Sequence, residues 1–342
     1  MAEDAVTEPS APAAPVKRKG RWQAWVLGVF AAILLIFGGA LAWLDTSAGH
    51  RFVVARIAKI APKSGLRISV GRIEGSIYSH ARLYDLKLAD PKGVFFTARQ
   101  VELDWFPFAW LSNRLDIDRL VIPRAQLLKL PKLNPTNEQG PILPDFDIRL
   151  MEFSIGRLDI DKAITGKAQV ATMQGDADVR SGRAIIDFKA RTLDGSDALI
   201  LALDSRPDDD RFDADVTVNA PKGGVIAAMA GLKQDANLRI KGDGSWTTWK
   251  GNLLATLDRK TVAAFDIDAQ SGQYQIDGHV DGAVVAGNGL IQRLAAPRMT
   301  ISARGSLENR LVKGTLNASS DAIRLKAVGG VDLKGQGYDN LT

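Results

Sequence analysis

The chain contains no cysteine and only three histidines, His50, His80 and His279. Disulfides and thiolate metal sites are therefore excluded, and the histidines do not fall at the spacing of zinc ligands. No P-loop, nucleophile elbow or H-E-x-x-H sequence occurs, and the lone G-x-G at 242–244 is better interpreted as a turn. We therefore predict no catalytic residue, no metal site and no cofactor.

Excess positive charge is missing from most of the chain, although the formal net charge is +5. Eight basic and four acidic residues lie within 1–63, which leaves 36 basic against 35 acidic residues for 64–342. Nucleic-acid binding needs a concentrated basic surface that neutralises phosphates. The near-neutral remainder therefore predicts no nucleic-acid partner, and the basic N-terminal part is suited to anionic lipid headgroups.

Charged residues are also absent from residues 22–44, which follow a polar and basic tail at 1–21. About 20 apolar residues span a bilayer, and tryptophans prefer the headgroup level at its two surfaces. The stretch therefore predicts a single transmembrane anchor with tryptophans near its ends. The predicted anchor residues are Trp22, Trp25, Phe30, Leu35, Trp43 and Leu44.

A cleaved signal peptide is the alternative interpretation, because Ala40-Leu41-Ala42 resembles a cleavage site. The uncharged run is longer than the usual apolar region of about 7–15 residues, so we expect a retained anchor. Basic residues lie at similar density on both sides of the run, and the charge rule alone does not orient it. We expect a cytoplasmic N-terminus, because a folded domain after a first helix is commonly exported.

Residues 45–63 predict an amphipathic helix that Thr46 or Ser47 caps. Phe52, Val53 and Ile57 recur in it at helical spacing. Two interpretations stay open for this helix. It begins the soluble core, or it lies on the outer leaflet of the membrane beside the anchor.

From residue 64 to residue 342, apolar residues recur with a period of two, which is typical of β-strands with one buried face. Turn residues separate the segments, and about 8–12 residues per strand and turn predict more than fifteen strands. Short helical turns are predicted at 107–113, 224–232 and 289–294, and a loop at 131–144. Phe95, Val101, Leu103 and Trp105 share one parity and are expected on one face. The predicted fold is mainly β, an elongated antiparallel sheet with a few short helices.

Four pairs of aspartates are spaced like acid–base or metal-binding residues. Because residues i and i+2 share one face of a strand, a solvated face explains each pair. A carboxylate metal site would need six or more converging oxygens. The pairs are Asp116/Asp118, Asp159/Asp161, Asp213/Asp215 and Asp266/Asp268.

Several segments of the chain together carry a resemblance to a known family. They are Leu44-Asp45-Thr46-Ser47-Ala48-Gly49, Gly65-Leu66-Arg67-Ile68, Gly71-Arg72-Ile73-Glu74-Gly75-Ser76, Leu83-Tyr84-Asp85-Leu86, Asp90-Pro91-Lys92-Gly93-Val94, Val101-Glu102-Leu103-Asp104-Trp105, Arg114-Leu115-Asp116-Ile117, Leu120-Val121-Ile122-Pro123-Arg124-Ala125 and Gly242-Asp243-Gly244-Ser245-Trp246. These segments resemble the beginning of the TamB family, the translocation and assembly module subunits of the wider AsmA-like group. The resemblance extends from Trp22 to the C-terminus and is strongest before Pro131.

This resemblance implies an inner-membrane protein that projects a taco-shaped β-groove into the periplasm. It implies that the apolar interior shields the acyl chains of membrane lipids. It further implies a role in outer-membrane biogenesis, by lipid transfer or by assembly of outer-membrane proteins with a partner of the Omp85 type. Family members are much longer, and their partner-binding C-terminal region has no counterpart here. We therefore expect the chain to be an N-terminal portion.

The apolar face of the sheet must be covered, by a second sheet or by curling into a groove. For a groove, the residues on the apolar parity of their strands are the expected lipid contacts. These residues are Phe188, Ile200, Val216, Leu253 and Ile267. The alternatives are a structural envelope scaffold of closed β-sandwiches and, third, an enzyme with an unrecognised site.

Overall fold

The computed structural model describes residues 35–59, 62–134, 147–180, 182–281, 298–308, 311–332 and 337–339. The predicted tail at 1–21, the anchor residues Trp22, Trp25 and Phe30, and the predicted helical turn at 289–294 lie outside these ranges. Residues 35–44 form a helix, α1. No helix among the described residues combines the length and the apolar composition that crossing a bilayer requires.

A second helix, α2 (Ser47–Ile57), follows α1. The Thr46 hydroxyl caps it by accepting a backbone N–H of the first turn at 3.3 Å. Val53 and Val54 pack against a buried cluster, whereas Phe52 is exposed. The cluster consists of Val70, Ile73 and Ala81. One face of α2 therefore begins the core, while another face stays open.

Nineteen strands of the described chain form one sheet, which confirms the predicted mainly β fold and the predicted number of strands. Their bounds are β1 (Arg67–Ser69), β2 (Arg72–Gly75), β3 (His80–Asp90), β4 (Gly93–Trp105), β5 (Arg114–Ile122), β6 (Ala125–Leu127), β7 (Asp147–Ile160), β8 (Gln169–Arg180), β9 (Arg183–Thr192), β10 (Ala198–Arg206), β11 (Arg211–Ala220), β12 (Ala236–Gly244), β13 (Thr248–Leu257), β14 (Lys260–Gln270), β15 (Gln273–Val280), β16 (Met299–Glu308), β17 (Leu311–Ser319), β18 (Arg324–Asp332) and β19 (Gly337–Asp339).

The sheet is antiparallel except at one position. β1 and β2 pair with β3, and β3 pairs with β4. β5 and β6 lie between β4 and β7, antiparallel to β4 but parallel to β7. A parallel pair needs a long crossover connection. The segment between β6 and β7 runs over 128–146, and its part 135–146, with most of the loop predicted at 131–144, lies outside the described ranges. From β7 to β19, each strand pairs antiparallel with the next one.

The largest buried cluster lies on the early strands and includes residues of β4 to β8. Short helices α3 (Lys162–Thr165) and α4 (Val225–Met229) contribute Ile164 and Val225 to it. A 3-10 helix at Pro107–Ser112 and α4 confirm the helical turns predicted at 107–113 and 224–232. The buried members are Ala98, Val101, Ile122, Ala125, Ile155, Leu158, Ile160, Ala171 and Val225.

The prediction that Phe95 and Val101 lie on the same face of β4 is wrong, because the alternation of the strand is interrupted between them. Ala98 and Val101 both belong to the buried cluster, although residues three apart in a regular strand face opposite sides. Beside them on β3, Asp85 has a φ of 54°, a left-handed conformation that interrupts the alternation. Phe96 rather than Phe95 therefore packs on the cluster.

Candidate functional site

One row of residues crosses the sheet from β7 to β18. Directly opposite residues of an antiparallel pair lie on the same face, with Cβ atoms about 4.5–5.5 Å apart. Register therefore defines the row strand by strand, and all its members are apolar or glycine. We call it the central row. It consists of Phe153, Gly175, Phe188, Leu201, Val216, Ile240, Leu253, Phe265, Gly278, Ile301, Ala318 and Leu325.

Two further rows flank the central row on the same face, one on each side. One consists of Ala177, Ile186, Leu203, Ala214, Gly242, Gly251, Ile267, Ile276, Ala303, Leu316 and Ala327. The other consists of Met173, Ala190, Leu199, Val218, Leu238, Ala255, Ala263, Val280 and Met299. We call the three rows together the apolar face. With neighbouring strands about 4.8 Å apart, the central row measures about 50 Å.

The opposite face of the same strands is polar. Asp176 lies directly opposite Asp187, and burial together with this like charge raises the pKa of Asp176. On each strand, one residue lies in sequence between the members of the central row and of the first flanking row, and its side chain is on the opposite face. These residues are Asp176, Asp187, Ala202, Asp215, Lys241, Asn252, Asp266, Asp277, Ser302, Asn317 and Lys326. The sheet therefore separates a charged surface from an apolar one over many strands.

The apolar face is only partly covered. Phe188, Val216 and Leu253 are half-buried, and Leu316 and Leu325 are exposed. On β12 the polar side is exposed and the apolar side half-buried, apart from the buried Gly242 and the exposed Gly244 at the strand end. All described strands belong to one sheet, so no separate second sheet of the described chain closes over this face.

The structure brings together four of the five predicted groove-lining residues. Phe188, Val216 and Leu253 lie in the central row, and Ile267 lies in the row beside it. Ile200 lies on the opposite face, because it is paired with Lys189 and Thr217. Its expected position on the apolar face is therefore wrong.

Sequence reasoning missed other members of the central row, notably Leu201, Ile240 and Ile301. The alternation of Leu238 and Ile240 with polar neighbours was a usable signal for β12. For β10 no such signal existed, because its first six residues are all apolar.

Trp249 covers part of the apolar face where two strands carry glycine. A Cβ atom at Gly242 or Gly251 would overlap its indole ring, so only glycine admits the ring in this position. The Phe212 ring lies 5.4 Å from that of Trp249 and 5.0 Å from that of Trp246, measured between centroids. These rings form an aromatic cluster at the strand ends, along one margin of the apolar face.

The aspartate pairs are partly structural rather than merely solvated. Asp116 is buried and accepts from Arg149 Nη1 at 2.8 Å. Asp159 accepts from Arg124 Nε at 2.7 Å and from Arg157 Nε at 2.8 Å. The interpretation as a solvated face is therefore wrong for Asp116, while Asp159 is partly exposed and Asp266 and Asp268 are exposed as expected. No cluster of three potential metal ligands occurs in the described part of the chain.

A depression of about 370 Å³ opens on the polar face over β9 to β12. Of the five aspartates that line it, Asp187, Asp204 and Asp213 lie in ion pairs. Asp204 accepts from Arg206 Nε at 2.7 Å, and Arg211 Nη2 lies 2.8 Å from Asp213. These ion pairs offset part of the negative charge of the depression.

Three predicted anchor residues are described. Leu35 and Trp43 are exposed on α1, and Leu44 is half-buried at its end. The Tyr78 hydroxyl donates to the Leu41 carbonyl at 2.8 Å, which ties α1 to the loop before β3.

Comparison of the chain with protein-family models, curated proteins and solved structures gives no match.

Proposed function

We propose that this chain is a single-pass protein of the bacterial inner membrane with a cytoplasmic N-terminus and its sheet in the periplasm. Residues 22–44 form the anchor in this proposal. The sheet curls into an elongated, taco-like groove, with the apolar face inside and the charged face outside. The groove carries lipid acyl chains during outer-membrane biogenesis.

The central row is the observation that carries this proposal. Burial of apolar surface is worth about 25 cal/mol per Å², so a half-buried apolar strip about 50 Å long is costly in water. Acyl chains match such a strip, because they are apolar, flexible and need no hydrogen-bond partner. The polar face gives the same strands a soluble exterior.

Assembly of outer-membrane proteins, with a partner of the Omp85 type, is part of the proposal through the resemblance to the TamB family. A half-open apolar face that shields lipid is also suited to shielding the apolar segments of a client protein. The competing function is a structural scaffold, for which the apolar face would have to be covered by protein alone.

Photo-crosslinking on the two faces of β11 tests lipid binding. A photoreactive amino acid is placed at Val216, in the central row, and as a matched control at Asp215, on the charged face. After irradiation in cells, lipid attached to the purified protein is identified by mass spectrometry. We expect lipid adducts at Val216 and none at Asp215.

Equal labelling at both positions would show contact with lipid that does not depend on the groove. Absence of labelling at Val216 would likewise overturn the proposal and favour the scaffold. Both variants change one side chain on a half-buried strand, so they leave the sheet folded.

A further inference from the structure

Four apolar side chains are exposed together around the 3-10 helix Pro107–Ser112. Phe106, Phe108, Trp110 and Leu111 are 53%, 39%, 67% and 85% exposed, respectively. Residues 106–112 contain no charged side chain. We call these four residues the 106–111 patch. Exposed aromatic residues in such a group mark a surface for a partner or a membrane.

The 106–111 patch is held firmly by its surroundings. The backbone N–H of Phe106 donates to the Asp116 carbonyl at 2.9 Å, and Ala109 is buried. The indole Nε1 of Trp105 donates to the Ile77 carbonyl at 3.0 Å. The exposure of the patch is therefore a property of the folded chain rather than of a loose loop.

Tyr78 links the patch to the end of α1. Its ring stacks on Phe108 with centroids 5.5 Å apart, and its hydroxyl donates to the Leu41 carbonyl at 2.8 Å. Next to this contact, the Ile77 N–H donates to Asp45 Oδ1 at 2.8 Å. The 106–111 patch therefore lies beside the point where the apolar stretch 22–44 ends.

Further aromatic and basic groups lie at the same end of α1. The Trp43 and Phe52 rings are 5.8 Å apart, and both side chains are exposed. The Arg56 guanidinium lies 5.0 Å from the Phe52 ring centroid, and Arg51 is also exposed. Aromatic rings and cations around the end of an apolar helix match the headgroup level of a bilayer with anionic lipids.

We propose that the 106–111 patch inserts into the headgroup region of the bilayer that holds residues 22–44. This inference depends on the membrane attachment in the proposed function, and it adds a second contact point formed by the folded domain. Together with the contacts that tie α1 to the domain, this second contact fixes how the domain is oriented against the bilayer. The first strands of the sheet, β3 to β5, are then held at the lipid surface.

The absence of cysteine makes the test direct, because one introduced cysteine is the only labelling site. The full chain is reconstituted into phosphatidylethanolamine–phosphatidylglycerol liposomes with nitrobenzoxadiazole on Leu111→Cys. Leu193→Cys, which is 63% exposed after β9, serves as the control for the domain. Leu35→Cys reports on the anchor. Emission wavelength and quenching by doxyl-labelled phospholipids are measured for each position.

We expect blue-shifted, quenchable emission at positions 111 and 35, and water-like emission at position 193. Quenching at 35 with water-like emission at 111 would overturn the second contact and leave the anchor intact. Water-like emission at both 35 and 111 would overturn the membrane attachment of the proposed function and this inference with it. Quenching at 193 as strong as at 111 would overturn the inference, because it would show non-specific contact.

Discussion

Asp90 shows how a single residue fastens the crossover connection to the sheet. Its Oδ1 accepts from Lys129 Nζ at 2.7 Å and from Lys92 N at 2.8 Å, and its Oδ2 accepts from Lys132 N at 2.8 Å. These bonds, the one from Lys129 above all, lower the pKa of Asp90 from 3.8 to about 2. The ionised carboxylate therefore holds residues 129–132 against the β3–β4 hairpin.

A depressed pKa in the folded state gives stability that is complete above the ordinary pKa and is lost as the pH falls through the folded value. We therefore expect the wild-type chain to be more stable than Asp90→Asn at neutral pH. The difference should shrink between pH 3.8 and about 2, the two pKa values of this carboxyl. Urea unfolding midpoints of both proteins across this pH range check the prediction. A difference that stays constant over the range would assign the effect to something other than ionisation of Asp90.

Strands of the same sheet differ in how completely their apolar side chains are buried. Ile155 on β7 belongs to the buried cluster, whereas Leu253 on β13 is half-buried in the central row. Truncation of a buried aliphatic residue to alanine costs about 2–5 kcal/mol, because it loses burial and leaves a cavity. We expect this loss for Ile155→Ala and less than about 2 kcal/mol for Leu253→Ala, since the latter removes less buried surface. Urea denaturation of the full-length variants measures both values, and equal losses would mean that the central row is packed like a core.

The strands also differ in how much of their placement the sequence predicts. Strict alternation on β11, and alternation on β13 that only Leu254 interrupts, assign Val216 and Leu253 to the correct face without any structure. On β10, six apolar residues in succession leave the parity undefined, and only pairing of Leu201 with Phe188 shows that Ile200 faces the other way. Positive φ at Asp85 likewise depends on its tertiary surroundings, because an aspartate in a strand pattern carries no signal for it.

At the scale of the whole molecule, the coverage of the apolar side changes along the sheet. The early strands bury their side chains in a cluster that includes residues from α3 and α4. From β9 onward, most apolar side chains of the central row are half-buried or exposed. In the proposed function, the first part is a closed base beside the membrane, and the second part is the open groove that lipids enter.

In a continuous groove, a block at one strand reduces lipid contact at strands beyond it, whereas separate lipid sites would not be affected. Val216→Asp places a carboxylate in the middle of the central row, and burying an unpaired charge against acyl chains costs several kcal/mol. Each 1.4 kcal/mol corresponds to about a tenfold change, so passage across β11 should fall by more than about tenfold. Photo-crosslinkers at Phe188 and Ile301, on either side of β11 in the row, report lipid before and after the block.

We expect labelling to persist at one reporter and to be lost at the other when Val216→Asp is present, because lipid reaches the groove from one end. The matched control is Thr217→Asp, which adds the same charge on the opposite face and should leave both reporters unchanged. Circular dichroism of both variants establishes that the sheet is retained, as the half-buried position of Val216 implies. If both reporters stay labelled in Val216→Asp, the central row is a series of separate lipid sites and not a path along which lipid moves.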